Sequence, residues 1–511
     1  MPNIEYLIVQ ASGKGTRMGH LTKNKPKALI PIQGKPILYH LNDSFPNAKL
    51  YIVGDYKFEI LEKYFLVNKP QFKYEIIRSR GEGSCQGLQI AREKIQNEGG
   101  NHFALTWCDL IYTEPVIIPN KENNYIGITN SFPCRWSYNN SIEEKRSNEN
   151  GILGFFYFGN LKELPKIPEN GEFVRFLKES NIKLEKLRID KVIEVGTLEA
   201  YEKITQNRMN VRFFNEIKQE GDKLIKTVKD PSFKGLMENE IGWYKYMSDK
   251  DYPNIPKIYS YSPLTMEKIN GWQLYDYDKV RPNITKKEII EKIILALKEL
   301  HSIEERPYDE NEAKDVYIKK TIERINKVKP IIPLNETEYY YVNKKKVRNL
   351  YHPRFIDDIN RLYEKLSLPS KYTVIHGDPT FSNILIENKT NRVIFIDPRG
   401  YFATTKIYGD PYYDFAKLYY SAIGDYDKFN QRKFKLNIED NSVSLEIDSN
   451  NFRETEELFY KYFSRKEMKN LKILHAFIWL SLAGYILDDV DSMMGAYFKG
   501  LELFEEAIQN E

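Results

Sequence analysis

Residues 11 to 32 read ASGKGTRMGHLTKNKPKALIPI and follow directly on the apolar run Tyr6-Leu7-Ile8-Val9. The stretch holds three glycines, four lysines and an arginine. Side chains that need water do not gather behind a strand for the sake of packing, and a chain of phosphates explains the collection. Gly13 and Gly15 let the backbone approach a ligand with no Cβ in the way. Between a strand and an expected helix, the loop turns free amides toward an anion. Arg17 adds a fork of donors suited to phosphate oxygens, and Pro26-Lys27 sets another cation at the rim. Taken alone, a glycine loop is an ordinary turn; the whole string is far more specific.

Outward from this loop, short apolar runs alternate with helical patterns as far as about residue 200: YLIVQA, LYIVG, YEIIRS and HFALTWCD. That alternation predicts a mostly parallel sheet wrapped by helices, ending in a helix over TLEAYEKITQNRMN. Near residue 205 the pattern changes. RFFNEIKQEGDKLIKTVKD reads as a hairpin turning at Glu220-Gly221-Asp222, MENEIGWYKYMS as a helix, and helices dominate from 283 onward. KFKLNIEDNSVSLEID, near 433–448, reads as one more hairpin. A chain of 511 residues is too long for one ordinary core. Two domains are expected, 1–205 and 206–511, the second divided at about 270.

The 76 Lys and Arg residues against 72 Asp and Glu leave a net charge of only +4. So small an excess argues against nucleic acid as a partner and for local anion sites. Cys85, Cys108 and Cys134 lie far apart and form no metal or redox pair. LHAFIWLSLAGYIL at 474–487 is too short to span a bilayer and reads as a buried helix. With no basic-then-apolar leader in view, a cytoplasmic location is expected.

The first motif resembles the signature of sugar-1-phosphate and phosphocholine nucleotidyltransferases. In that family an apolar strand leads to Ala-Ala-Gly-x-Gly-Thr-Arg-Met, then Pro-Lys-x-Leu, then Gly-Lys-Pro-Ile or Leu. Here these are Ala11 to Met18, Pro26 to Leu29 and Gly34 to Ile37, with Ser12 in place of the second Ala. The resemblance covers about 200 residues and implies a Rossmann-like mixed sheet of the GT-A kind. It implies nucleotide binding by Ala11, Gly13, Gly15, Thr16, Arg17 and Lys27, and by Gly83, Gln86 and Gly87 of GEGSCQGLQIA. It further implies Mg2+ at Asp109, the end of LTWCD, and at Glu194 in VIEVGTLEAY, where Asp is the commoner residue. A strand-end Asp by itself is more often structural. In this chemistry a substrate phosphate attacks the α-phosphorus of a nucleoside triphosphate, so two anions must meet. Cations offset the repulsion, and no general base is needed because a phosphate is already ionised.

A second block, VIHGDPTFSNILIENKTNRVIFIDPRG, poses a different problem. A hydroxyl is a poor nucleophile, so a kinase sets an Asp to accept its proton and an Asn and a second Asp to hold magnesium under ATP. The block resembles the aminoglycoside phosphotransferase and choline kinase family, patterned His-Gly-Asp-x-x-x-x-Asn and then Ile-Asp. The resemblance implies an α+β bilobal protein-kinase-like fold, with Asp378 as base, Asn383 and Asp397 on Mg2+, and His376 steadying the loop. Lys226 is the residue for the ATP phosphates, with Lys229 its competitor. Glu240 is the helix partner that orients the lysine, with Glu238 its alternative. Glu267, in LTMEKINGWQL, falls in the strand whose backbone meets adenine. Arg399 departs from the choline kinase pattern, and either meets an anionic substrate or pairs with a carboxylate.

Two such halves on one chain imply consecutive steps: ATP phosphorylates a small alcohol, and the resulting phosphate is coupled to CTP or UTP. Fusions of this type serve bacterial capsule or lipopolysaccharide decoration. Choline, a polyol and a sugar all stand as acceptors. The aromatic stretches RGYF, YGDPYYDF and CRWSYNN are candidates for a quaternary-ammonium cage, although the chain is Tyr-rich throughout. A sugar kinase joined to a sugar-1-phosphate uridylyltransferase, and an antibiotic phosphotransferase with an inactive binding module, are the competing readings. The oligomeric state is not legible.

Overall fold

A computed structural model describes residues 4–81, 83–205, 215–229 and 231–509. The chain divides into two compact units, residues 1–208 with 487–491 and residues 209–486 with 492–511. The last residues of the helix expected over 197–210 lie outside the described residues.

The first unit is built on a mixed sheet. Strand Tyr6–Gln10 runs at its centre, parallel to Lys49–Gly54 on one side and to Phe103–Trp107 on the other. Tyr74–Arg78 extends the parallel part beyond Lys49–Gly54. Gly151–Phe158 joins Phe103–Trp107 in the antiparallel sense, Tyr125–Thr129 joins Gly151–Phe158 likewise, and Glu185–Arg188 closes that edge parallel to Tyr125–Thr129. The central strands are apolar runs because both faces are covered: Leu7, Ile8 and Val9, and Leu50 through Val53, are fully buried. In such sheets ligands bind beyond the carboxyl ends of the parallel strands. Here those ends are Gln10 and Trp107, which lead into the glycine loop and Asp109.

The loop is not followed by an α-helix. Thr16–Thr22 is a 3-10 stretch broken at Gly19, whose φ of 58° and ψ of −124° are not helical. The expectation of an anion on an α-helix N-terminus is therefore corrected to one of amides in a tight loop. Nor are all the cations of this stretch held for a phosphate. Lys25 is 1% exposed and lies between Asp489, 3.0 Å away, and Asp491, within the same unit. A lysine so deeply buried stays charged only because two carboxylates face it.

The second unit begins with a four-stranded antiparallel sheet ordered Asn215–Glu220, Lys223–Val228, Leu264–Glu267 and Ile258–Tyr261. Its first hairpin turns through Gly221 and Asp222, with Glu220 opposite Lys223. Helix Lys234–Asp249 packs beside it. Helices Lys286–His301 and Arg465–Tyr485 each start in a capping box, Thr285 with Glu288 and Ser464 with Glu467. The first buries Ile289, Ile290, Ile293, Ile294, Leu297 and Leu300 on one stripe. The hairpin Phe434–Glu439 with Ser442–Ile447 has company that the sequence does not announce. Tyr339–Val342 and Lys345–Arg348 form a second hairpin and pair with it through Tyr341 and Ser442. Among the described residues no helix is long and apolar enough to cross a membrane.

Candidate active sites

In the first unit a two-stranded ribbon brings distant carboxylates together. Leu110–Tyr112 runs antiparallel to Val192–Glu194, with Glu194 opposite Leu110. The Val195 amide donates to the Asp109 carbonyl at 2.8 Å. Glu194 is thus set beside Asp109, and burial, then the charge of Asp109, pushes its carboxyl above the ordinary range against the pull of Arg17 and Lys27. Lys27 is ion-paired with Asp109 Oδ2. Arg17 Nη2 stands 3.9 Å from Glu194 Oε1, with an arginine side chain that is two-thirds exposed. Asp109 Oδ1 is buried and takes no hydrogen bond. A buried carboxylate oxygen without a donor is costly, and a cation at that position would satisfy it.

The glycine loop surrounds this group. Gly15 takes a φ of 63°, a region that side chains with a Cβ avoid, and so bends the chain toward Lys27. Gly13 and Thr16 are exposed on the loop, and Ala11 is buried with its amide donating to Val53 O at 2.8 Å. Gln86 spends its carbonyl oxygen on the amides of Arg80 and Gly81, at 2.6 and 2.7 Å, and so shapes the loop. Gly87 is a packing requirement of the protein itself, since a Cβ there would collide with Val53 Cγ1. Gly83 lines a cleft of about 400 Å³ together with Arg17, Trp107, Arg135, Trp136 and Glu194. The aromatic wall of this cleft includes CRWSYNN residues.

In the second unit Lys226 lies in strand Lys223–Val228 and is 5% exposed. Its ammonium donates to both oxygens of Glu240, at 2.8 and 2.9 Å, and to Asp397 Oδ1 at 2.6 Å. Burial pulls its pKa down, but Asp397 and Glu240 outweigh that and the net shift is upward. The competitors stand elsewhere: Lys229 is exposed, and Glu238 meets Lys234 at 3.7 Å on the surface. Glu267 turns its carboxylate to the Lys257 amide at 3.2 Å.

The loop after strand Lys371–Val374 is held from beneath by Asp414, which accepts from the amides of His376 at 2.8 Å and Gly377 at 2.7 Å and from His301 at 3.0 Å. Asp414 thereby fixes the loop that carries Asp378. His376 accepts the Asp378 amide on Nδ1 at 3.2 Å and donates from Nε2 to Ile396 O at 3.1 Å. Its ring is therefore a neutral strut, and burial lowers its pKa. Asn383 Nδ2 donates to Asp378 O at 2.8 Å and to Asp378 Oδ2 at 3.1 Å. That orientation leaves the Asn383 amide oxygen facing away from Asp378, as a metal ligand requires. Lys417 Nζ stands 3.1 Å from Asp378 Oδ1. Arg399 makes no ion pair among the described residues; it reaches Tyr413 OH at 3.3 Å and stacks over Tyr401 at 4.3 Å.

Sequence reasoning missed Lys320, Arg324 and Lys417, all of which line this cleft. Their spacing in YIKKTIERI and DFAKLYY is that of any amphipathic helix. Only the fold shows that those helix faces look onto Asp378.

Among the described residues no group of three or more His, Cys, Asp or Glu side chains forms a ready-made metal cage. Both centres offer two protein oxygen ligands, Asp109 with Glu194 and Asn383 with Asp397. That suits Mg2+, which takes few protein ligands and completes its shell with water and nucleotide phosphates.

Comparison with known proteins matches a different family in each part of the chain. A family model described as MobA-like NTP transferase domain matches residues 7–120, and one described as phosphotransferase enzyme family matches residues 201–438. The chain thus carries an N-terminal NTP transferase domain and a C-terminal phosphotransferase domain of the APH family. The bifunctional protein GlmU of Methanocaldococcus jannaschii is 28% identical over 166 residues, 32% of this chain and 36% of that protein. The UTP–glucose-1-phosphate uridylyltransferase AglF of Haloferax volcanii is 43% identical over 108 residues, 20% of this chain and 43% of that one. The chain therefore spans about a third of the length of the first relative and under half of the second. The solved CTP:phosphocholine cytidylyltransferase of Streptococcus pneumoniae, LicC, is 14% identical with a TM-score of 0.33, covering 39% of this chain and 97% of its own.

Proposed function

We propose that the chain is a bifunctional transferase: residues 206–511 phosphorylate a small alcohol with ATP, and residues 1–205 couple a phosphorylated small molecule to a nucleoside triphosphate. The observation that supports this best is that each unit sets a lysine against a metal-competent carboxylate that has a second oxygen ligand at hand: Lys27 on Asp109 beside Glu194, and Lys226 on Asp397 in the cleft that Asn383 also lines. In the kinase reaction the acceptor hydroxyl gives its proton to Asp378 as its oxygen bonds to the γ-phosphorus of ATP, and ADP leaves. Lys417 pairs with Asp378, Asn383 and His376 fix its position, and Lys226 takes the α/β-phosphates while Glu240 orients it. In the transferase reaction a phosphate oxygen bonds to the α-phosphorus and pyrophosphate leaves, with Arg17 and Lys27 spreading the charge of the five-coordinate phosphorus. Mg2+ held by Asp109 with Glu194, and by Asn383 with Asp397, would supply charge neutralisation at the phosphates.

The nucleotide for the first unit is CTP in our reading, on the resemblance to phosphocholine-type transferases. UTP is the second reading, favoured by the 43% identity with a uridylyltransferase over 108 residues. The product is an activated precursor for surface-polysaccharide decoration, made in the cytoplasm where both triphosphates are found. Incubation with ATP, Mg2+, an alcohol panel and either CTP or UTP tests the proposal. Acceptor-dependent ADP followed by pyrophosphate is expected. ADP and pyrophosphate release that ignores the alcohol would overturn the coupled reaction.

A further inference from the structure

The cleft around Asp378, about 340 Å³, carries an imbalance of charge. Its carboxylates are Glu240, Asp378 and Asp397, and its cations are Lys226, Lys320, Arg324, Arg399 and Lys417. Lys226 is matched by Glu240 and Asp397, and Lys417 by Asp378. Lys320, Arg324 and Arg399 have no carboxylate partner among the described residues. The Lys320 ammonium has no hydrogen bond among the described residues, and the Arg324 side chain donates to the Ser481 carbonyl, at 3.2 Å. Lys320 and Arg324 stand four residues apart on helix Lys320–Val328, where like charges on one face oppose helix formation. The helix is entered through a π-helical turn, Asp315–Lys319, a distortion that recurs at functional sites.

Four aromatic rings of the cleft already have a cation of the protein beside them. Arg399 covers Tyr401 at 4.3 Å, Lys417 lies 5.2 Å from the Tyr420 centroid, Arg324 5.1 Å from Tyr485 and Lys320 5.8 Å from Tyr413. A quaternary ammonium needs such ring faces, and at these four rings it would compete with the protein's own lysines and arginines.

We infer that the alcohol phosphorylated in this cleft already bears an oxyanion, a carboxylate or a phosphate, which Lys320, Arg324 and Arg399 hold while its hydroxyl faces Asp378. The inference rests on the kinase reading of this unit and narrows it: choline, ethanolamine and aminoglycosides are disfavoured, and neutral polyols are poor acceptors. Burial, together with Arg399, Arg324 and Lys417, holds the Lys320 pKa well below its ordinary value. A bound oxyanion restores the charged form, so the pocket gains most when the ligand is negative.

The test uses the full chain with ATP and Mg2+ and four matched alcohols: glycerol, D-glycerate, glycerol phosphate and choline. ADP release is expected to be at least tenfold faster, at equal low concentration, with glycerate or glycerol phosphate than with glycerol or choline. The contrast between the two anions separates a carboxylate from a phosphate. Replacement of both Lys320 and Arg324 by Met is expected to raise KM for the preferred anion at least tenfold and to leave KM for ATP in place. Preference for choline or glycerol overturns the inference, and so does a rise in KM for ATP alone, which would assign the cations to the nucleotide. If no alcohol yields ADP, the kinase reading fails by itself, and calorimetric titration with the two anions then decides: heat lost in the Lys320→Met, Arg324→Met protein supports an oxyanion pocket, and silence in the wild-type protein refutes it.

Discussion

In the first unit Lys27 holds Asp109 and leaves Glu194 to an arginine 3.9 Å away, whereas in the second Lys226 holds Glu240 and Asp397 at once, within 2.9 Å. The walls of the two clefts differ as much. Trp107, Trp136, Phe132 and Phe173 line the first cleft, and unmatched cations line the second. The exposed Arg17 is loosely held, since exposed charges are held weakly in water, and on the proposed transferase reading it would follow a triphosphate as it enters. The buried Lys226 cluster is assembled in advance, and on the proposed kinase reading ATP would have to take Lys226 from Asp397. One centre is therefore organised by its ligand and the other by its own packing.

Independence of the two centres is the first point to break. Asp378→Ala is expected to slow acceptor-dependent ADP formation about 10³-fold, the range for removal of a general base, and to leave pyrophosphate release intact when the phosphorylated acceptor is supplied. Asp109→Ala should do the reverse. Loss of both products in a single folded variant, as judged by circular dichroism, would end the comparison.

Acid should distinguish the second unit next. His475 accepts a hydrogen bond from Trp479 Nε1 at 3.0 Å, and burial, then Lys499 and Lys472, bring its pKa down to about 3. A ring that must stay neutral in the fold but protonates freely once unfolded favours the unfolded chain in acid. The stability it contributes is complete above about pH 6.5 and is lost progressively toward pH 3, amounting to about 3 kcal/mol by pH 4. Urea titrations at pH 7 and pH 4 would show the loss, and His475→Gln should flatten it.

Glu240→Gln sharpens the contrast in pre-assembly. With one carboxylate gone, Lys226 is left to Asp397, and kcat/KM for ATP should fall about 30-fold, largely through KM, by initial-rate kinetics. The corresponding change at the open centre, Glu194→Gln, should act on kcat more than on KM. Smallest of all, Ser464→Ala removes one half of a capping box and should cost about 1 kcal/mol in denaturant titrations, without moving pyrophosphate release.

Much of this was legible in the sequence for local reasons. A strand followed by glycines and cations, a Gly-Asp hairpin turn and an Asp-x4-Asn loop each carry their geometry within a few residues. Glu194 needed the family resemblance, because the register that sets it beside Asp109 spans some 80 residues of chain. Lys25 reads locally as one more cation of the loop because its partners, Asp489 and Asp491, lie more than 460 residues away. The helix expected after Gly15 failed at Gly19, whose backbone angles break the run. The hairpin over Tyr339–Arg348 was passed over since lysines crowd its second strand, and the cations opposite Asp378 looked like any solvated helix face.

The ribbon that joins Leu110–Tyr112 to Val192–Glu194 has an evolutionary corollary. Everything between its two strands leaves from and returns to one clamp, and within that span lie the aromatic and arginine residues at 132–136 and the segment at 172–174 that help to wall the cleft. Substrate preference can therefore be rewritten inside a closed excursion of the chain while the carboxylate pair at its base stays put. New specificities would arise there by insertion and exchange, with the phosphate chemistry inherited unchanged.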